Sequence, residues 1–163
     1  MPTRDAQLLF GDEIDLGSTS AGSTAQATYS VLIPQVTNHL GVATNDRPFL
    51  NRGLTFNAII DGEVLAGSTS SATVTMNLLN YTAEITASNM ASATTIISKV
   101  MTADASGSNY PIGTQIISQP LPTTILMPYL KPVFVASVAK VATGKISAWI
   151  GTPIQAGGEH GSL

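Results

Sequence analysis

The chain lacks cysteine, carries few charges and has no long apolar segment. Without Cys among its 163 residues it forms no disulfide or thiolate metal site, which fits a protein made in a reducing cytosol. Only 10% of the residues are charged, against about 25% in an average protein. A run of 26 residues, 105–130, has no charge at all, but Pro and Gly interrupt it too often for a membrane span. We therefore expect no membrane association.

The few basic residues argue against a nucleic-acid partner. The chain has seven Lys and Arg residues and ten Asp and Glu residues, which gives a net charge of −3 and a pI near 5.1. The basic residues are scattered, so binding driven by counterion release from a polyanion has little to act on. Near the start, the apolar run 8–10 is too short for a signal-peptide core, and we expect no secretion by that route.

What the chain does have is a series of short Val, Ile and Thr segments separated by Gly, Ser, Pro and Asn. In residues 73–78 apolar and polar residues alternate, which places Val74, Met76 and Leu78 on one face of a strand. Such spacing predicts an antiparallel β-sandwich or barrel with about eight strands. Helical signal is weak and predicts a turn or two within residues 83–93. The predicted strands are 24–33, 54–60, 73–78, 94–97, 114–117, 124–127, 132–138 and 145–150.

No break marks a second domain, so we divide the chain into an N-terminal segment 1–22, one domain 23–154 and a flexible tail 155–163. The N-terminal segment is either an arm that reaches a neighbouring subunit or a first strand packed in its own subunit. Residues 34–53 form a long connection of the kind that carries contacts on a rigid sandwich. The residues that we predict to contact partners are Leu8, Leu9 and Phe10 in the arm and Arg47, Phe49 and Arg52 in the connection.

The chemistry-bearing residues do not form a catalytic pattern. His39 and His160 are the only histidines, His160 lies in a glycine-rich tail, and no G-x-S-x-G sequence exists. The glycines match neither a phosphate-binding loop nor a dinucleotide fingerprint. We expect no enzyme, no catalytic residue and no cofactor or metal site.

The acidic set Asp12, Glu13 and Asp15 has three interpretations. Clustered carboxylates hold Ca²⁺ in some proteins and act as an acid–base pair in glycosidases. This stretch lacks the spacing and the turn glycine of a calcium loop. A solvated arm, or a salt link to a basic patch of a partner, is the interpretation we favour.

The aromatic residues bear on a carbohydrate-binding alternative. The chain has one Trp, Trp149, between apolar Ala148 and Ile150, which favours core or interface packing over sugar stacking. Tyr110, Tyr129 and Phe49 lie beside prolines, and they either anchor a partner or pack onto the end of the sandwich.

Several stretches resemble the capsid cement (decoration) proteins of podovirus-type tailed bacteriophages, of the jelly-roll kind. A strand precedes a Pro-Leu-Pro bend, an apolar strand leads into a Tyr-Leu-Lys-Pro-Val run, and a Gly-Lys-Ile-Ser-Ala strand closes the pattern. The resemblance covers about two thirds of the chain. It is carried by residues 113–117, 119–122, 126–135 and 144–150, and upstream by residues 5–7, 14–17, 67–69, 72–76, 88–92 and 95–96.

This resemblance implies a single jelly roll that forms a homotrimer at three-fold positions of an icosahedral shell and reinforces it. The implied partner is the major capsid protein, and the implied location is the capsid surface of a virion assembled in the host cytoplasm. The family's motifs are structural and transfer no catalytic residue. A phage fibre or lectin-like carbohydrate-binding sandwich is the alternative.

Overall fold

A computed structural model describes residues 9–32, 54–68, 72–122 and 127–151, and these residues are almost entirely β-structure. They form eleven strands and a single 3-10 helix, η1 (Met90–Ser92), where sequence predicted a helical turn or two. The strands are β1 Leu9–Asp15, β2 Thr24–Gln26, β3 Val31–Leu32, β4 Thr55–Ile60, β5 Ala66–Gly67, β6 Ala72–Tyr81, β7 Thr94–Ala103, β8 Gln115–Pro120, β9 Tyr129–Ser137, β10 Val141–Thr143 and β11 Lys145–Gly151.

Two antiparallel sheets pack face to face. Sheet A has the order β1-β11-β4-β8, and sheet B has the order β2-β9-β6-β7 with β3 also paired to β9. The short strands β5 and β10 pair with each other beside the two sheets. When β3, β5 and β10 are left aside, the chain visits the sheets in the sequence A, B, A, B, B, A, B, A. The predicted all-β antiparallel sandwich is confirmed.

The core lies between the sheets and contains the residues that strand alternation selects. Val74, Met76 and Leu78 are buried on one face of β6, as the sequence predicts. From sheet A, Phe10 and Phe56 meet edge to face, with ring centroids 5.7 Å apart and an interplanar angle of 76°. Edge-to-face contacts suit the charge distribution of aromatic rings.

The N-terminal segment is a strand in its own subunit from Leu9 onward. β1 pairs with β11 along its length, and Phe10 is completely buried in the core. Phe10 therefore has no surface with which to reach a neighbour, and the arm interpretation is wrong for it. Leu9 is half-buried and pairs with Trp149 of the same chain. Pairing within the chain satisfies the backbone groups that an arm would leave open.

The predicted strand 24–33 is broken into β2 and β3 by the strand beside it. Gln26 pairs with Val133 and Val31 pairs with Leu130, so the break lies opposite Pro132. The carbonyl of Pro132 faces this side and accepts the N–H of Ala27 at 3.2 Å. A proline has no N–H to donate there, so the ladder cannot continue and the chain turns away for four residues.

Gly144, at the start of the closing motif, is required by close packing. Its φ is +152°, a conformation that L-residues avoid. A Cβ at this position would lie 2.7 Å from Leu65 Cδ1 and 3.3 Å from Leu65 Cα. The glycine therefore allows the β10–β11 connection to lie against the backbone at Leu65.

Candidate interaction surface

The exposed part of the outer surface of sheet B is a four-strand face without charges. Side chains alternate across a strand, so the residues beside buried Val74 and Met76 point outward. Across the sheet, Thr75 lies between Val135 and Val100. The one charged side chain of the described residues on the outer side of this sheet is Lys131, which lies beneath residues 82–93. We call the exposed part the uncharged face; it consists of Thr24, Gln26, Thr73, Thr75, Asn77, Ser98, Val100, Thr102, Val135 and Ser137.

This face combines hydroxyl, amide and β-branched groups and is only partly exposed within the chain. Thr75 and Val135 are half-buried, whereas Val100 is 56% exposed. Ser98 Oγ donates to Asn77 Oδ1 at 2.7 Å across the β6–β7 pair. Polar groups that are already paired lose less when a partner excludes water from them. The face is therefore suited to being covered by protein.

One end of the same sheet is already covered by the chain itself. Residues 82–93, including η1, fold over it and bury Leu79, Ile85 and Val133 in a small second cluster. We call residues 82–93 the cover. Ser30 Oγ holds the cover in place, because it accepts the N–H of Ile85 at 3.2 Å. The uncharged face is thus the uncovered remainder of a sheet surface that the chain buries elsewhere.

Lys131 lies beneath the cover and is nearly inaccessible. Its Nζ donates to the carbonyl of Ile85 at 3.0 Å, and the residue is 8% exposed. Burial lowers the pKa of Lys131 from 10.5, and the nearby charge of Glu84 partly opposes this effect. The charged form is therefore held in the fold at a cost.

We expect this lysine to give stability a distinctive pH dependence. Because the folded-state pKa is lowered, the unfolded chain binds more protons as the pH approaches 10.5. The free energy of unfolding of the wild type should therefore rise, relative to Lys131→Met, between neutral pH and 10.5. Urea unfolding of both proteins across this range measures the difference; parallel pH curves would contradict the prediction.

Lys145 provides a control of opposite sign. Its Nζ lies 3.0 Å from Glu13 Oε2, and this hydrogen bond raises the pKa of Lys145. Its contribution is therefore present below pH 10.5 and is lost as the pH rises above that value. The free energies of unfolding of Lys145→Met and the wild type should differ below pH 10.5 and converge above it.

The acidic residues of β1 bind within the chain. Ser147 Oγ lies 2.7 Å from Asp12 Oδ1 and 2.8 Å from Asp61 Oδ2, and it accepts the N–H of Glu13 at 3.1 Å. Glu13 also pairs with Lys145 of the neighbouring strand. These bonds fasten β1 to β11 and to the end of β4. Sequence reasoning missed Asp61 and Ser147 here, because only the sheet pairing brings them to Asp12.

Of the six predicted contact residues, the structure describes Leu9 and Phe10. Leu8, Arg47, Phe49 and Arg52 lie outside the described residues, as do the tail 155–163 and residues 124–126 of a predicted strand. Leu9 and Phe10 belong to sheet A and are remote from the uncharged face. The sequence signal related to this face is the alternation of Thr73, Thr75 and Asn77 with core residues, which indicates the outward side of β6 but not the surface that its neighbours complete.

The aromatic residues Trp149, Tyr110 and Tyr129 are partly buried. Trp149 is half-buried on β11, where it pairs with Leu9 and Asn57 of the adjacent strands. Tyr110 packs against the main core and Tyr129 against the second cluster. Packing onto the sandwich therefore describes both tyrosines, which sequence left open between packing and partner contact.

Within the described part of the chain, no helix is long and apolar enough to cross a bilayer. No group of three His, Cys, Asp or Glu residues in those same ranges is placed to hold a metal ion. A comparison with protein-family models gave no match, and a comparison with curated proteins gave no significant relative.

Proposed function

We propose that this chain is a structural cement protein of a tailed-phage head. It binds as a trimer to the outside of the icosahedral shell and stabilises the shell by bridging major capsid subunits. The observation that carries the proposal is the uncharged face, a surface of four strands built to be covered by protein. The sequence resemblance supplies the identity of the partner.

The strand order supports the jelly-roll part of the proposal. The order of visits to the sheets, A, B, A, B, B, A, B, A, reads the same in both directions. In a jelly roll, one long antiparallel hairpin is wound around a barrel, so the strand order has this symmetry and the first and last strands are adjacent. β1 and β11 are adjacent in sheet A, and β2 and β9 are adjacent in sheet B. Jelly rolls recur in capsid proteins and lectins, so the winding alone does not decide the function.

The composition of the uncharged face suits a protein contact. Interface cores are depleted in charged residues, because an ion that leaves water must find a well-placed partner. Threonine and valine present methyl groups with little side-chain entropy to lose. A sheet surface of this kind can pack onto another protein without a large rearrangement.

Bridging explains how modest contacts can reinforce a shell. When one subunit of a trimer is bound, the others face their own sites at a high effective concentration. The summed affinity then exceeds that of any single contact. Closed three-fold symmetry would match the local symmetry of an icosahedral lattice.

The test of the proposal mixes the purified chain with undecorated phage shells. Bound copies are counted by sedimentation, and the heat tolerance of the shells is measured with and without the protein. We expect saturable binding in multiples of three and a higher disruption temperature. No binding, together with glycan binding on an array, would favour the fibre or lectin alternative.

A charge placed on the uncharged face should weaken this binding. We expect Thr75→Glu to lower the affinity for shells at least tenfold, which corresponds to about 1.4 kcal/mol. The matched control is Gln115→Glu, which adds the same charge at an exposed position of sheet A. Circular dichroism and thermal melting verify that both variants fold. Equal binding of both variants would show that another surface meets the shell.

A further inference from the structure

One edge of sheet B is a long strand, β7, with which no further described strand pairs on its outer side. β7 pairs with β6 on one side and ends the sheet on the other. It is ten residues long, contains no proline, has Lys99 as its only charge, and pairs regularly from Ile97 to Ala103, with one bulge at Ile96. Proteins usually protect such edges with charges, prolines, bulges or short strands.

The direction of the backbone groups on β7 follows from the pairing of its neighbours. Ala136 exchanges backbone hydrogen bonds with Gly22 and Ser23, so its N–H and C=O point toward β2. Alternate residues point to opposite sides of a strand, so Val135 points toward β6 and meets Thr75. The N–H and C=O groups of Val74 and Met76, which flank Thr75 on β6, must then point toward β7.

The same alternation decides which groups of β7 are open. Val74 and Met76 bond to their partners Met101 and Lys99. Ser98 and Val100 therefore direct their N–H and C=O groups away from the sheet. An independent bond agrees with this assignment, because Asn109 Nδ2 donates to the carbonyl of Thr102 at 3.2 Å from the open side. No described residue bonds to the main chain of Ser98 or Val100 on that side.

The charge distribution favours a second copy as the occupant of this edge. Two copies each carry −3, so they approach best where acidic residues are absent. The acidic residues Asp12, Glu13 and Asp61 lie on sheet A and its loops, Glu84 lies in the segment that covers one end of sheet B, and Asp104 directly follows β7. Neither β7 itself nor the uncharged face contains an acidic residue. Identical chains can therefore meet along β7 without carboxylates between the two strands.

We propose that β7 pairs antiparallel with β7 of a second copy about a two-fold axis, which joins the two B sheets into one continuous sheet. Ser98 and Val100 exchange main-chain hydrogen bonds with the partner copy. The two uncharged faces then form one surface.

The register is limited by the position of the lysine. Across a two-fold axis perpendicular to the sheet, opposite residues must point to the same face. An axis at Ser98 places Lys99 opposite Ile97, and an axis at Val100 places it opposite Met101. Only an axis at Lys99 sets two ammonium groups side by side, which is destabilising. Both of the first two registers keep the cations apart. An axis at Ser98 places Val100 opposite Ile96, where β7 bulges, and an axis at Val100 places Ser98 opposite Thr102, whose carbonyl also accepts Asn109 Nδ2.

This contact goes beyond the proposed trimer, because a two-fold strand pairing has room for two chains only. It would connect two trimers, or two single chains if no trimer forms. In both cases the assembly mass is an even multiple of the 16.8 kDa chain, and loss of the pairing halves that mass. The test is therefore independent of shell binding and of trimer formation.

The experiment measures assembly mass by light scattering and analytical ultracentrifugation up to the solubility limit. We expect Val100→Pro to halve the mass. Proline removes only the outward N–H of that residue and leaves the bonds of Lys99 and Met101 to β6 in place. Val100→Lys is a second disrupting variant, which sets charges beside the axis. Val100→Thr keeps both the N–H and the β-branched shape, and it should retain the wild-type mass.

Hydrogen exchange supplies a readout at the level of single amides. In the wild-type assembly the amides of Ser98 and Val100 should be protected, and in Val100→Lys the amide of Ser98 should exchange rapidly while the amide of Met101 stays protected. A wild-type mass that is an odd multiple of the chain, or one that Val100→Pro and Val100→Lys both leave unchanged, would overturn the proposal. Capture of an extended peptide by a monomeric wild type would do the same.

Discussion

Replacing Phe10 by alanine is expected to lower the free energy of unfolding of the isolated chain by about 3–5 kcal/mol. Phe10 is completely buried and stacks edge to face with Phe56. Its removal leaves a cavity between the two sheets, at the point where β1 closes sheet A against β11. Urea unfolding followed by circular dichroism measures the loss.

Leu9→Ala is the matched control for this prediction. Leu9 precedes Phe10 in the same strand but faces outward and is half-buried. We expect a loss of about 1 kcal/mol, because less apolar surface is withdrawn from water there. An arm that crosses to a neighbouring subunit would give a different pattern, since neither substitution would then affect the isolated chain. Equal stability of Phe10→Ala and the wild type would restore the arm interpretation.

Alternation along single strands predicted the part of the fold that depends on local pattern. In β6 the apolar residues Val74, Met76 and Leu78 occur at every second position, and all three are buried. In β11 the buried apolar residues Ile146, Ala148 and Ile150 follow the same rule, although Ser147 between them is also buried. These strands have one face on the core, which is the condition under which period-two patterns appear.

The pattern fails where a neighbouring strand decides the structure. The break between β2 and β3 is set by Pro132, which lies far away in sequence. β1 was ambiguous because its pairing is irregular at Gly11, and Glu13 adopts a positive φ of 48°. Such a bulge shifts the alternation of apolar and polar residues, so the sequence no longer shows the period-two pattern of a strand. Two-residue β5 is too short to show any period.

The uncharged face could not be located from sequence because no single strand defines it. Thr75, Val100 and Val135 are each ordinary residues on the outward side of a strand. They become one surface only through the register of β6 with β7 and β9. Low charge content indicated that the chain is adapted to contact with protein, and the sheet order decides where such contact is possible.

The second large effect on stability is expected in the loop that follows β7. This loop is organised around one carboxylate. Asp104 accepts hydrogen bonds from Ser106 Oγ, from the N–H of Asn109 at 3.0 Å and from Ser108 Oγ at 2.7 Å. These bonds hold the pKa of the Asp104 carboxyl well below its usual range. The loop can close this tightly because Gly107 adopts a φ of +72° and packs against Val64.

Gly107→Ala is expected to lower the free energy of unfolding by about 2–5 kcal/mol, as the sum of two costs. A left-handed conformation costs an L-residue about 1–2 kcal/mol. The new Cβ would also lie 2.6 Å from Val64 Cγ2, and overpacking of this kind costs about 1–3 kcal/mol. Gly113→Ala isolates the first cost, because Gly113 has a φ of +87° and no atom within 4 Å of the added Cβ. Urea unfolding of both variants measures the difference, and equal losses would show that Val64 moves aside and that the tight approach contributes nothing.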